Sequence, residues 1–192
     1  VFEEVENMQN AMKAVLLSAV FASVAAAQAP LRAAPGTAVK IAVMEFTPAA
    51  EASAMTDNAK RWLQSQLSAT LHDTRKFDVY DTRHTRRASQ SDLPVINHDS
   101  STAAAVKIGK QLGVAYVLTG TVTKYAPKSD GDFGYATIRT RLVDVSTGKV
   151  KHSGETEQKG WGKMNTTGEA EMQAKVMKPA IDSITATLFR AM

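Results

Sequence analysis

The sequence contains no cysteine. That excludes disulfides, zinc ribbons and thiol nucleophiles, and also a lipid anchor carried on cysteine. Aromatic residues are only 6% of the 192 residues. No apolar run reaches the roughly 18 residues expected of a membrane-spanning helix. The 11 glycines and 6 prolines are too few for a collagen or a low-complexity chain. Neither sign of charge dominates, with 23 Lys and Arg against 19 Asp and Glu. What remains is a globular body of one or two domains, 44% apolar.

The N-terminal region reads as an address. Met12-Lys13 is followed by a run of 14 apolar or small residues, Ala14 to Ala27. A basic start, a short apolar stretch and an A-x-A end make a secretory signal, here residues 12–27. Cleavage is expected after Ala27. The alternative, after Ala29, would set Pro30 against the scissile bond. Residues 1–11 carry Glu3, Glu4 and Glu6 where a signal is basic, so they read as an upstream or non-native extension, with Met8 or Met12 as the start. Losing residues 1–27 removes one Lys and three Glu, which raises the net charge from +4 to +6. A basic exported protein suits anionic envelope partners, not nucleic acid.

Residues 28–38 form a flexible Ala/Pro/Gly-rich lead, and 39–192 a single domain. Val39 to Phe46 is a strand, apolar enough from Ile41 to Met44 to be covered on both faces. Asp57 to His72 is a helix capped by Thr56 or Asp57, with Leu63, Leu67 and Leu71 on one face. A short strand follows at Phe77 to Tyr80. Residues 83–98 are polar, with at most one helical turn. A second helix starts at Ser101 or Thr102, turns Ala105, Ile108 and Leu112 inward, and ends at Gly113. Val114–Tyr125, Tyr135–Val145 and Val150–Gln158 are strands joined by turns at Lys128–Asp132 and Ser146–Lys149. The last helix spans Thr167 to Arg190, with Met172, Val176, Ala180, Ile184 and Leu188 inward and a kink or restart at Pro179. The fold class is α/β (or α+β): a mixed β-sheet flanked by helices, in the order β-α-β-α-β-β-β-α.

Motifs for chemistry are missing. The four histidines, His72, His84, His98 and His152, have no zinc-protease spacing, and there is no nucleophile elbow or phosphate loop. Asp130-Gly131-Asp132 lacks the further ligands of a calcium loop. No catalytic, cofactor-binding or metal-binding residue is assigned. Two features suit partner binding. Arg83, His84, Arg86 and Arg87, near Arg75-Lys76, form the densest basic region, either a docking patch or a solvated face. Tyr80 beside them reads as core. Trp161, between Gly160 and Gly162, either anchors a partner or tucks under the last helix.

Three segments carry a resemblance: Lys40–Phe46 (KIAVMEF), Lys110–Tyr125 (KQLGVAYVLTGTVTKY) and Arg141–Glu155 (RLVDVSTGKVKHSGE). Together they resemble the CsgG-like family of curli production, which is similar in fold to LpoB and to the TolB N-terminal domain. The resemblance implies a non-enzymatic protein of the Gram-negative periplasm, soluble after signal cleavage. The channel's membrane hairpins have no room at Ala126–Gly134 or Lys159–Gly168, since a membrane strand needs about nine to eleven residues. The expected function is therefore an accessory role in envelope or surface-fibre assembly, by docking to outer-membrane assembly proteins. The alternative is an activator of a penicillin-binding protein, a peptidoglycan synthase, of LpoB type. An enzyme with a site assembled from residues such as Glu45 and His98 is the third reading. Homo-oligomerisation stays open.

Overall fold

The computed structural model describes residues 38–92, 101–127, 133–160 and 168–192. The signal, the lead, the turn at 128–132 and the Trp161 loop lie outside the described residues. Strand β1 (Val39–Val43) sends Ile41 and Val43 to one face of the sheet and Ala42 to the other. All three are fully buried. A continuous apolar run therefore serves a strand covered on both sides. The expected loop after it holds a two-residue strand β2 (Thr47–Pro48) and a 3-10 turn at Ala50–Ala52. Helix α1 (Asp57–Asp73) begins where the Thr56 hydroxyl accepts the Ala59 N–H at 3.1 Å. Strand β3 (Phe77–Val79) follows.

Residues 82–92 depart from the expectation of a polar stretch with one turn. They form an eleven-residue helix, α2 (Thr82–Asp92). Helix α3 (Ser101–Leu112) buries Ala105 and Ile108, and Gly113 closes it at φ 66° in the left-handed region. Strands β4 (Tyr116–Ala126), β5 (Tyr135–Asp144) and β6 (Val150–Lys159) make two antiparallel hairpins. The sheet order is β3-β1-β4-β5-β6, with β2 paired to β4. β1 runs parallel to both β3 and β4.

This order fixes which face each helix covers. The β1-to-β3 connection crosses the sheet in one direction and the β3-to-β4 connection in the other. Parallel crossovers share one hand, so their helices fall on opposite faces. Leu63, Leu67 and Leu71 of α1 pack with Phe46, Leu118, Ile138 and Leu142 on one side. Ala88 of α2 and Ala105 and Ile108 of α3 pack with Val117, Val143 and Val145 on the other. A bulge between Val122 and Lys124 resets the alternation, so that Tyr125 enters the first core and Lys124 stays exposed. Burial, then the Glu169 carboxylate, pushes the Tyr125 hydroxyl up to about 12.

The C-terminal helix is continuous through Pro179. Helix α4 (Glu169–Met172) widens into a π turn (Gln173–Met177) and resumes as α5 (Lys178–Ala191). Pro179 has no N–H for the carbonyl one turn back and crowds it. A wider turn relieves both without ending the helix. Met172, Val176, Ala180, Ile184 and Leu188 are all buried, as their spacing predicts.

The β5–β6 turn is held by one side chain. The Asp144 carboxylate accepts the Ser146 N–H at 2.9 Å, the Ser146 hydroxyl at 2.7 Å and the Thr147 N–H at 3.0 Å. These bonds, the Ser146 hydroxyl first, hold its pKa below the usual carboxylate range. A lowered folded pKa gives stability that is present above the unfolded value and is lost as pH falls through the folded one. Asp144→Asn should therefore melt earlier than wild type at about pH 6, and the difference should shrink towards about pH 2. Thermal melts of the two proteins across that range check it.

Candidate functional site

Helix α2 is built on an aspartate cap. The Asp81 carboxylate accepts the Arg83 N–H at 2.7 Å, and this bond leads the causes that lower its pKa. The Asp81 carbonyl takes both the N–H and the hydroxyl of Thr85, each at 3.1 Å. Thr85 and Ala88 face inward and are buried. That leaves Arg83, His84 and Arg87 on the outward face, all exposed. The ring of Tyr80 meets the His84 ring edge-on at 6.2 Å. Tyr80 was expected in the core but is 36% exposed, because β3 ends at Val79 and the chain turns out to start α2.

The four basic residues of α2 do not act alike. Arg86 turns inward, and its guanidinium donates to the Gln64 side-chain oxygen at 3.0 Å. The Gln64 amide donates in turn to the Val43 carbonyl at 2.7 Å. Gln64 is fully buried and Arg86 half-buried, so Arg86 pins α2 to α1 and β1. Arg83 lies 3.5 Å from the Asp81 carboxylate, which offsets part of its charge, and the His84 ring lies 3.9 Å from the same group. Arg87 has no partner among the described residues. A shallow groove of about 400 Å³ runs beside them, with His72, Tyr80, Asp81 and Arg83 in its lining.

Lys76 of the second basic pair is directed elsewhere. Lys76 sits over the Phe189 ring at 4.6 Å and donates to the Phe189 carbonyl at 2.6 Å, which directs it to the end of α5. Trp161 and His98 lie outside the described residues. Glu45 is half-buried, and the histidine it was considered with is not described. No group of three or more His, Asp or Glu among the described residues is placed to hold a metal ion. Arg83, His84 and Arg87 stand exposed on one helix face beside the groove. The Gln64–Arg86 link was missed in the sequence. One signal was there: Gln64 and Ser68 run at i, i+4 directly beside the leucine stripe, and both are buried.

The model of the family described as the peptidoglycan-synthase activator LpoB matches residues 56–158. The match runs from the cap of α1 to the last but one residue of β6, includes all of α2, and takes in more than half of the chain. The chain belongs to the LpoB family. This membership favours the alternative set beside the curli reading, and the curli reading itself finds no support in these comparisons.

Solved structures place the family fold more widely. The hypothetical protein CT253 from Chlamydia trachomatis aligns at a TM-score of 0.58 and 14% identity, over 79% of this chain and 95% of that one. Lipoprotein GNA1162 from Neisseria meningitidis aligns at 0.54 and 17%, over 79% and 99%. A variant PelC dodecamer from Paraburkholderia phytofirmans aligns at 0.50 and 20%, over 78% and 89%. These likenesses establish the fold, a mixed sheet flanked by helices. Comparison with curated proteins finds no match. Among the described residues of this LpoB-family chain, no helix is long and apolar enough to cross a membrane.

Proposed function

We propose that the exported protein is a non-enzymatic activator of a peptidoglycan synthase in the periplasm. The observation that carries this is the LpoB family match over residues 56–158. The site supports it. A cationic helix face with no nucleophile, base or metal cluster assigned to it is suited to docking rather than to covalent chemistry. Arg83, His84 and Arg87 meet an acidic surface on the synthase, while Arg86 holds their helix in place. Trp161 is a second contact in the same proposal. Electrostatic matching of this kind sets the association rate and the choice of partner.

The test is reconstitution of glycan-strand synthesis by a purified bifunctional penicillin-binding protein, with and without this protein. Stimulation is expected. The double reversal Arg83→Glu with Arg87→Glu should weaken binding at least about tenfold, and wild-type binding should fall steeply with salt. Both side chains are exposed, so the melting temperature should hold. No stimulation by the wild type, measured alongside a known activator, would overturn the function. Stimulation that survives the double reversal would keep the function and overturn this docking face.

A further inference from the structure

Helix α5 turns one patterned face outward. Asp182, Ala186 and Arg190 recur on it every four residues, opposite the buried stripe of Ala180, Ile184 and Leu188. All three are exposed. Phe189 stands beside them, with Lys76 over its ring, and is 47% exposed, the most exposed large apolar side chain among the described residues. A depression of about 490 Å³ runs between this helix and α1, walled by Phe189 and by Thr70 and Thr74. A lone exposed Phe is ordinary. A Phe at the rim of a groove, with an acid and a base spaced evenly about an alanine, has the anatomy of a contact: an apolar centre and charges at its edge.

The two charges are not used within the chain. Arg190 Nε donates to the Ala186 carbonyl at 3.2 Å, which lays the side chain along this face. Neither Asp182 nor Arg190 has an ion-pair partner among the described residues. They stand about 12 Å apart along the helix axis, one on each side of Ala186. A face with one charge of each sign at equal distances from its centre complements itself better than it complements an acidic or a basic partner.

We infer that α5 packs antiparallel against α5 of a second copy, about a two-fold axis at Ala186. Rows of residues four apart form ridges, and two such ridges interdigitate at a crossing of about −50°, with axes about 8–10 Å apart. Alanine at the crossing permits the close end of that range. Each ridge then lies in the groove beside the other, which here is the depression walled by Phe189 and Thr70. Asp182 of each copy comes beside Arg190 of the other, so symmetry makes two ion pairs. Other arrangements lose them. A parallel pair about a two-fold sets Asp182 on Asp182 and Arg190 on Arg190. An antiparallel crossing at either charged residue sets like charges together on the axis.

The exported protein should dimerise in sedimentation equilibrium, weakly for so small a contact, with a dissociation constant of about 1–100 μM. Asp182→Arg brings arginine against Arg190 at both symmetric positions, and Arg190→Asp brings aspartate against Asp182. Each variant should raise the dissociation constant at least about tenfold. An equimolar mixture of the two should dimerise again, because the heterodimer restores both ion pairs. Ala186→Gln is neutral and a good helix former; it should hold the axes apart and raise the constant at least about tenfold as well. All three positions are exposed, so melting temperatures should hold. None lies on α2, so the inference stands or falls apart from the proposed docking to a synthase. A protein that stays monomeric up to about 1 mM would overturn it. A dimer or larger ring unchanged by the reversals or by Ala186→Gln, or a mixture that stays monomeric, would overturn it equally.

Discussion

Gln64→Leu should destabilise the protein by about 2–4 kcal/mol, a large effect for one residue on α1. Leucine has nearly the same volume and fits the buried site, so the loss comes from polar pairing and not from a cavity. Two bonds go at once: the amide donated to the Val43 carbonyl at 2.7 Å and the oxygen that accepts Arg86 at 3.0 Å. A buried carbonyl that loses its donor costs about 1–3 kcal/mol, and a bond to a charged donor is worth about as much again. Gln64→Glu should also destabilise. It keeps an acceptor for Arg86 but turns a carboxylate oxygen towards the Val43 carbonyl. Urea unfolding followed by Trp62 fluorescence measures the loss. Hydrogen exchange then locates it, with protection falling most in α2, since Arg86 is the residue that ties that helix down. A Gln64→Leu protein within about 0.5 kcal/mol of wild type would show that the Val43 carbonyl and Arg86 find other partners. Because α2 carries the proposed docking face, the same substitution should weaken synthase binding without touching the surface.

That coupling explains what could and could not be read from the sequence. Helix α1 was legible because Leu63, Leu67 and Leu71 repeat every four residues behind Thr56. The long helix through Val176 and Ile184 was legible for the same reason. The central strands announce themselves by β-branched runs, and the late hairpin by Ser146-Thr147-Gly148-Lys149. Helix α2 gave no such signal. Its inward face is Thr85 and Ala88, one polar and one small, so no apolar period marks it. The basic cluster was visible as composition, but its division of labour was not. Arg86 and Gln64 are 22 positions apart, and only the fold brings them together. The offset of Arg83 by Asp81 depends on a helix that the pattern did not show. The pairing of β2 with β4, Thr47 opposite Thr121, was likewise hidden, because two residues carry no period. Gly120 lies in the Lys110–Tyr125 segment that carries the resemblance. Its physical reason became visible only in the packing.

Gly120→Ala should be at least as damaging as the loss of Gln64, by about 3 kcal/mol or more. A Cβ at this position would fall 2.1 Å from Phe46 Cε1, 2.5 Å from Phe46 Cδ1 and 2.7 Å from the Arg139 carbonyl oxygen. Neither neighbour can give way cheaply. Phe46 is 1% exposed, in the core beneath α1, and the Arg139 backbone belongs to β5, which is paired with β4 on one side and β6 on the other. The contrast with Gly154 in the same sheet is direct, since Gly154→Ala meets only a side-chain tip and should leave the stability of the monomer nearly unchanged. A double-mutant cycle identifies which contact is responsible. Phe46→Ala alone should cost about 3–5 kcal/mol through the cavity it leaves. In that cavity the methyl group of Gly120→Ala has room, so the double variant should be less destabilised than the two losses combined, by more than about 1 kcal/mol. Urea titrations of the four proteins measure this. If the losses add, the ring of Phe46 is not what demands glycine in β4, and the Arg139 carbonyl alone sets the limit.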